Sequence, residues 1–183
     1  MKLFIPIIVG TTRPKRQSIY VAQLLEKVLN DSPDTETKII DPQDYDLSFD
    51  GNDEDIKIEE YSQLMNRADA LFVVVPEYNH SFPASLKGLL DKELSAYMHK
   101  PAAIAGVSGG GFGGVRAIES LVPVLRELGL VVSSVDLIVP RVQDKFGDDG
   151  ELLDGDLEGR ASQAVEELVW LARTLRSGRD QEK

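Results

Sequence analysis

Short apolar runs alternate with amphipathic stretches along the whole chain. The runs LFIPIIV (3–9), TKII (37–40), ALFVVV (70–75), AAIAGV (102–107) and VVSSVDLIV (131–139) carry little polar alternation, which is the pattern of strands buried on both faces. The last is long enough to be two strands. Between them the apolar residues recur at helical spacing. Val21, Leu24, Leu25, Val28 and Leu29 form one stripe; Leu86, Leu89, Leu90 and Leu94 a second; Ile118, Leu121, Val122, Leu125 and Leu128 a third, closed by Gly129 as a C-terminal cap. A short helix is expected over 57–68, and a final one over about 158–176 presents Ala161, Val165, Leu168, Val169, Ala172 and Leu175 on one side. Strand and helix alternate five times, so the expected fold is α/β, a parallel sheet with helices on both faces. With no internal repeat and no linker, residues 1–183 are expected to form a single domain.

Composition narrows the chemistry. The 42% apolar and 28% charged shares are those of an ordinary globular protein, and no apolar run approaches the ~20 residues that span a bilayer. A soluble, cytoplasmic protein is expected. The sequence contains no cysteine, so thiolate nucleophiles, disulfides and ordinary iron–sulfur clusters are excluded, and redox chemistry must come from a bound cofactor. A net charge of −11 argues against a nucleic-acid partner. The acidic stretch 41–60 reads as a solvated loop before a helix. From Asp46 it begins like a calcium loop, but Lys57 stands where the bidentate glutamate must be.

Candidate chemistry lies in three loops, each following a strand. The first, GTTRPKRQS (10–18), offers Thr11, Arg13, Arg16 and Ser18 just ahead of a helix, whose unpaired N–H groups and dipole favour a phosphate. The second, PEYNHSFPASLKGLLD (76–91), begins with Pro76, Glu77, Tyr78 and Asn79. The third, GVSGGGFGGVRA (106–117), matches three patterns at once. As a serine-hydrolase elbow around Ser108 it lacks a downstream histidine, since His80 and His99 both precede it. As a dinucleotide fingerprint over 109–114 it has Asp136 at 22 residues beyond Gly114, but it follows the fourth strand rather than the first. As a third possibility, Ser108, Gly109, Gly110 and Gly111 lay bare backbone against a flat ligand. In the doubly wound order 2-1-3-4-5, strands one, three and four are neighbours, and their loops open on one crevice. One ligand can then place a phosphate at 11–18 and a flat ring between 76–79 and 108–111.

These blocks resemble the NADPH-dependent FMN reductases, the flavodoxin-like group that includes quinone, azo-dye and chromate reductases. Their phosphate loop G-[ST]-x-R looks like Gly10–Arg13, their P-E-Y-N-x-S-x-P-x-x-L-K looks like Pro76–Lys87, and their S-G-G-x-G-G-x-R-A is similar to the stretch between Ser108 and Ala117. Where many members continue L-K-N-A-I-D-W, this chain reads Leu86-Lys87-Gly88-Leu89-Leu90-Asp91-Lys92, and Arg16 replaces a serine usual in one form of the phosphate loop. The resemblance implies a flavodoxin-like three-layer sandwich with a five-stranded parallel sheet of order 2-1-3-4-5. It also implies bound FMN, NADPH or NADH as hydride donor, and ping-pong transfer through FMN N5 to a small-molecule electron acceptor. A homodimer or homotetramer is implied as well. No catalytic side chain is then required: Glu77 and Tyr78 act through backbone contacts and ring shielding, and N–H groups near 109–115 stabilise the charge of a reduced flavin. Arg116 is expected in a salt bridge. A flavodoxin-type electron carrier and an FMN-free NAD-binding enzyme using the 109–114 loop remain as alternatives.

Overall fold

The computed structural model describes residues 2–47 and 58–181. The calcium-like stretch and the start of the helix expected at 57 lie largely outside them. Among the described residues no cluster of histidine, aspartate and glutamate could hold a metal ion, and no helix is long and apolar enough to cross a membrane.

The first apolar run becomes two strands, β1 (Leu3–Phe4) and β2 (Ile7–Val9). Pro6 separates them, because proline has no N–H to give to a ladder. Its carbonyl still accepts from Phe72 N–H at 3.0 Å, and Ile5 and Ile7 donate to Glu36 and Lys38 at 2.8 and 2.9 Å, so the line of the strand continues across the break. Helix α1 (Ser18–Asn30) follows. The second line is divided in the same way, into β3 (Thr35–Glu36) beside β1 and β4 (Ile39–Ile40) beside β2. A 3-10 turn, Pro42–Asp44, comes next, then α2 (Glu59–Arg67), β5 (Leu71–Pro76) and α3 (Ala84–Leu90). The chain finishes with β6 (Pro101–Val107), α4 (Val115–Glu127), β7 (Val131–Val132), β8 (Leu137–Val139) and α5 (Gly155–Gln181).

All pairings in the sheet are parallel, and β7 and β8 both lie along β6. Counted as lines of chain, the order is second, first, third, fourth, fifth, as expected; the proline and the broken last run raise the number of strands without changing that order. Successive residues of the central strands face opposite layers. Phe72, Val74, Ala103 and Ala105 pack with Val21, Leu25, Leu168 and Ala172 of α1 and α5. Leu71, Val73, Ala102 and Ile104 pack with Met65, Leu86, Leu121 and Leu125 of α2, α3 and α4. This gives the three-layer sandwich of the flavodoxin-like fold.

Two helix ends show the local chemistry. α3 stops at Leu90, so Leu94 does not continue its stripe and is 60% exposed. α4 is closed just beyond its end by Gly129, whose φ of +83° suits the left-handed cap that glycine adopts without steric penalty. The last helix is longer at both ends than its apolar stripe, because its final turns are held by ion pairs rather than by burial.

Candidate functional site

The loops after β2, β5 and β6 meet at the carboxyl ends of these neighbouring strands, around a cleft of about 460 Å³. Thr11, Arg13, Arg16 and Ser18 line it from the first loop, Pro76, Glu77 and Tyr78 from the second, and Ser108 and Gly109 from the third. Gly110 and Gly111 are not among the lining residues, and neither is Asn79. It sits in the tight turn between Tyr78 and Ser81, with φ of +49° at Asn79 and +67° at His80, a conformation asparagine tolerates better than most residues.

The phosphate end has the features of an anion site. α1 begins at Ser18 with no side-chain cap, and the N–H groups of Thr12, Lys15, Arg16 and Gln17 have no acceptor among the described residues. The Ser18 hydroxyl is buried without a hydrogen-bond partner, and so is Arg16 Nε. Buried polar groups nearly always find partners, and these atoms could be satisfied by a ligand bearing oxygen atoms. Arg13 is exposed and also lines the cleft. Arg16 is turned aside to form an ion pair with Asp41, which follows β4.

Tyr78 bridges two of the loops. Its hydroxyl lies 2.8 Å from Thr11 Oγ1, which also accepts from Arg13 N–H at 3.2 Å. The N–H groups of Glu77 and Tyr78 are used inside the chain, donating to the carbonyls of Val107 and Ser81 at 2.9 and 2.8 Å. These two residues therefore do not offer a ligand the N–H donors that backbone recognition would use. Glu77 Oε1 accepts from Arg116 Nε at 2.8 Å, while Glu77 Oε2 is buried without a partner. Arg116 thus forms the expected salt bridge. It also lies 2.9 Å from His80 Nε2 and over the exposed ring of Phe112.

The glycines of the third loop divide into two kinds. A Cβ on Gly114, where φ is +83°, would stand 2.4 Å from Val107 N, so this glycine lets α4 start directly against β6. A Cβ on Gly110 or Gly111 would meet nothing within 4 Å, and one on Gly109 only the Gln143 side chain at 3.7 Å. Gly109, Gly110 and Gly111 also have N–H groups with no acceptor among the described residues. Their backbone is bare toward open space, as a flat ring requires. Ser108 Oγ donates to the Gly110 carbonyl at 3.0 Å and has no contact with either histidine, so nothing activates it as a nucleophile. Asp136 precedes β8 and is remote from its carboxyl end, where a dinucleotide ribose would need it.

Sequence reasoning missed the loop after β8. Val142 and Gln143 line the cleft, and Gln143 Nε2 donates to the Gly109 carbonyl at 3.2 Å. The position of this loop at a fifth carboxyl end was the available signal.

The profile of the NADPH-dependent FMN reductase family matches residues 3–144. The chain belongs to that family. It is an oxidoreductase whose cofactors are FMN and NAD(P)H. It is 28% identical over 154 residues to an NAD(P)H-dependent FMN reductase of Saccharomyces cerevisiae, covering 73% of this chain and 80% of the relative. It is 33% identical over 129 residues to an NADPH:quinone oxidoreductase of Arabidopsis thaliana, covering 65% of this chain and 62% of the relative. Among solved structures it resembles FerB, a flavoenzyme NAD(P)H:(acceptor) oxidoreductase from Paracoccus denitrificans, with a TM-score of 0.74, 23% identity and coverage of 91% and 97%.

Proposed function

We propose that this flavin-dependent oxidoreductase acts on small, neutral, flat acceptors of the quinone class, with FMN seated in the cleft at the carboxyl ends of β2, β5 and β6. The observation that carries the placement is the convergence there of three buried, unpartnered polar atoms, Arg16 Nε, Ser18 Oγ and Glu77 Oε2, with two rows of unused backbone N–H groups. Arg13, Arg16, Ser18 and the N-terminus of α1 would hold the phosphate, with Thr11 bracing the loop. Pro76, Glu77 and Tyr78 would flank the ring on one side, and Ser108–Gly111 on the other. Bound there, FMN supplies the centre that takes hydride from NAD(P)H and passes it on.

The chain's own residues do the rest. The N–H groups of Gly109–Gly111 oppose negative charge on whatever lies against them, since they are already oriented and need no reorganisation. Glu77, fixed by Arg116, offers an acceptor oxygen in a buried position and disfavours anionic groups next to it. That carboxylate and the net charge of −11 both disfavour oxyanion acceptors relative to neutral ones. The relative from Arabidopsis thaliana named for quinone supports the same choice. A single domain carries the whole site, and the cytoplasm supplies its NAD(P)H. Phe112 and Val115, 67% and 40% exposed beside the glycine loop, suit a contact with a second copy in a homodimer or homotetramer.

Steady-state oxidation of NADPH and NADH by FMN-loaded protein, with a benzoquinone, free FMN, an azo dye and chromate compared in parallel, tests this reading. The quinone is expected to give the highest kcat/KM. Chromate turnover equal to or above it would refute the acceptor class, and no NAD(P)H oxidation with any acceptor would leave an electron carrier instead.

A further inference from the structure

Next to the phosphate loop stands a short segment to which the site gives no direct role. Asp41 follows β4 and opens the 3-10 turn Pro42–Asp44. Its two carboxylate oxygens do different things: Oδ2 pairs with Arg16 NH2, and Oδ1 accepts from Gln43 N–H at 3.0 Å. Gln43 then reaches back, its Nε2 donating to the Thr12 carbonyl at 2.8 Å. The segment therefore grips the loop at two points, one on a side chain and one on the backbone.

We propose that Asp41 and Gln43 are positioning residues that form a clamp fixing the phosphate loop in its binding shape, an inference that rests on the FMN site proposed above. The Arg16–Asp41 pair is well removed from solvent, with side chains 11% and 17% exposed, and Arg16 lines the cleft with its buried Nε unpartnered. Holding the guanidinium by one nitrogen leaves another free for the ligand. It also removes in advance the rotamer freedom an arginine would lose on binding. The Gln43 contact works through a planar peptide. With the Thr12 carbonyl drawn outward, the N–H on the opposite side of the same peptide, that of Arg13, points to Thr11 Oγ1 at 3.2 Å. Thr11 in turn meets Tyr78 OH at 2.8 Å. The clamp thus reaches from the turn after β4, through the loop after β2, to the aromatic residue after β5, which is how an outer layer keeps a binding constellation within tight geometric limits.

Two effects of Asp41 oppose each other, and their signs differ. As a charge it neutralises part of the cationic loop, so removing it would tighten phosphate binding. As a clamp it orders Arg16, so removing it weakens phosphate binding. With the side chain half-buried and bonded at both oxygens, ordering is the larger effect.

The test compares dissociation constants for FMN and for riboflavin, which lacks the phosphate, by quenching of flavin fluorescence in wild-type, Asp41→Asn and Gln43→Ala proteins. A phosphorus-31 spectrum of the bound FMN is recorded for each. Asp41→Asn keeps an oxygen to cap Gln43 and loses only the charged partner of Arg16. It is expected to weaken FMN about tenfold and leave riboflavin unchanged. Gln43→Ala is expected to weaken FMN about threefold with the same selectivity, and both variants should shift the bound phosphorus resonance. Unchanged or tighter FMN binding by Asp41→Asn would overturn the clamp, as would parallel losses of FMN and riboflavin in both variants. Wild-type protein that fails to bind FMN at all would refute the proposed site itself, and the clamp with it.

Discussion

The two ends of this sheet are built from the same kinds of residue and treat them in opposite ways. At the amino end, Asp69 accepts from Phe4 N–H at 2.9 Å and from Arg176 at 3.2 Å, with Arg179 at 3.8 Å from its other oxygen. Arg179 also donates to the His99 carbonyl at 2.8 Å, and Lys100 Nζ to the Asn66 carbonyl at 3.1 Å. These charges close on one another and tie the last turns of α5 to the starts of the strands. At the carboxyl end, Ser18 Oγ, Arg16 Nε and Glu77 Oε2 are buried and unpartnered, and the glycine loop leaves its N–H groups unused. A buried polar group without a partner costs about 1–3 kcal/mol. Ser62 Oγ and Arg160 Nε carry it elsewhere in the chain, but at the carboxyl end three such atoms gather around one cleft beside unused N–H groups, which separates an end whose charges close on one another from the end proposed to take the ligand.

Substitutions can break the contrast or sharpen it. The largest effect is expected at Gly114, a tight point beneath the open loop. Alanine there meets Val107 N at 2.4 Å in a left-handed backbone, and chemical denaturation should show a loss of about 2–4 kcal/mol of stability. Arg13→Ala should leave stability unchanged and weaken FMN binding by about 1.5–3 kcal/mol, as for a charged hydrogen bond. Asp69→Ala is its mirror image: about 2 kcal/mol lost from folding through the lost contacts with Phe4 N–H, Arg176 and Arg179, with the FMN dissociation constant unmoved. Ser18→Ala should weaken FMN binding by about 1 kcal/mol and slightly stabilise the ligand-free protein, because it removes an unsatisfied hydroxyl. Gly110→Ala should change ligand-free stability by less than about 0.5 kcal/mol, since its Cβ meets nothing, yet weaken FMN. If Asp69→Ala impaired FMN binding as much as Arg13→Ala, the division between the two ends would not hold.

The acidic groups add a pH dependence to the same map. Hydrogen bonding and attraction from Lys145 hold the Asp154 carboxyl below its ordinary value of 3.8. The stability this pair contributes is present above that value and declines as pH falls through the lowered one. Asp154→Asn should abolish that part of the acid sensitivity in thermal melts recorded between neutral pH and pH 3.

Much of this was readable in the chain because buried parallel strands carry an unmistakable apolar pattern. β5 and β6 fall within one residue of the runs ALFVVV and AAIAGV. β3 escaped notice because Thr35 and Glu36 are polar and pair only with the short β1. The site was readable as three loops, since carboxyl ends of neighbouring strands must converge. Asp41, Gln43 and Gln143 were not, because their contacts join residues that lie far apart in sequence and depend on side-chain direction. Asn79 lies in the tight turn between Tyr78 and Ser81 and is not among the residues lining the cleft; a polar run alone does not show which of its members face inward.

The most direct test of the central claim is amide hydrogen exchange of the protein with and without saturating FMN. New protection is expected to concentrate in 11–18, 76–79 and 108–111, with exchange at Asp69, His99 and the last turns of α5 unaltered. Protection that appears at the amino end instead, or none in these three loops while FMN is bound, would contradict it.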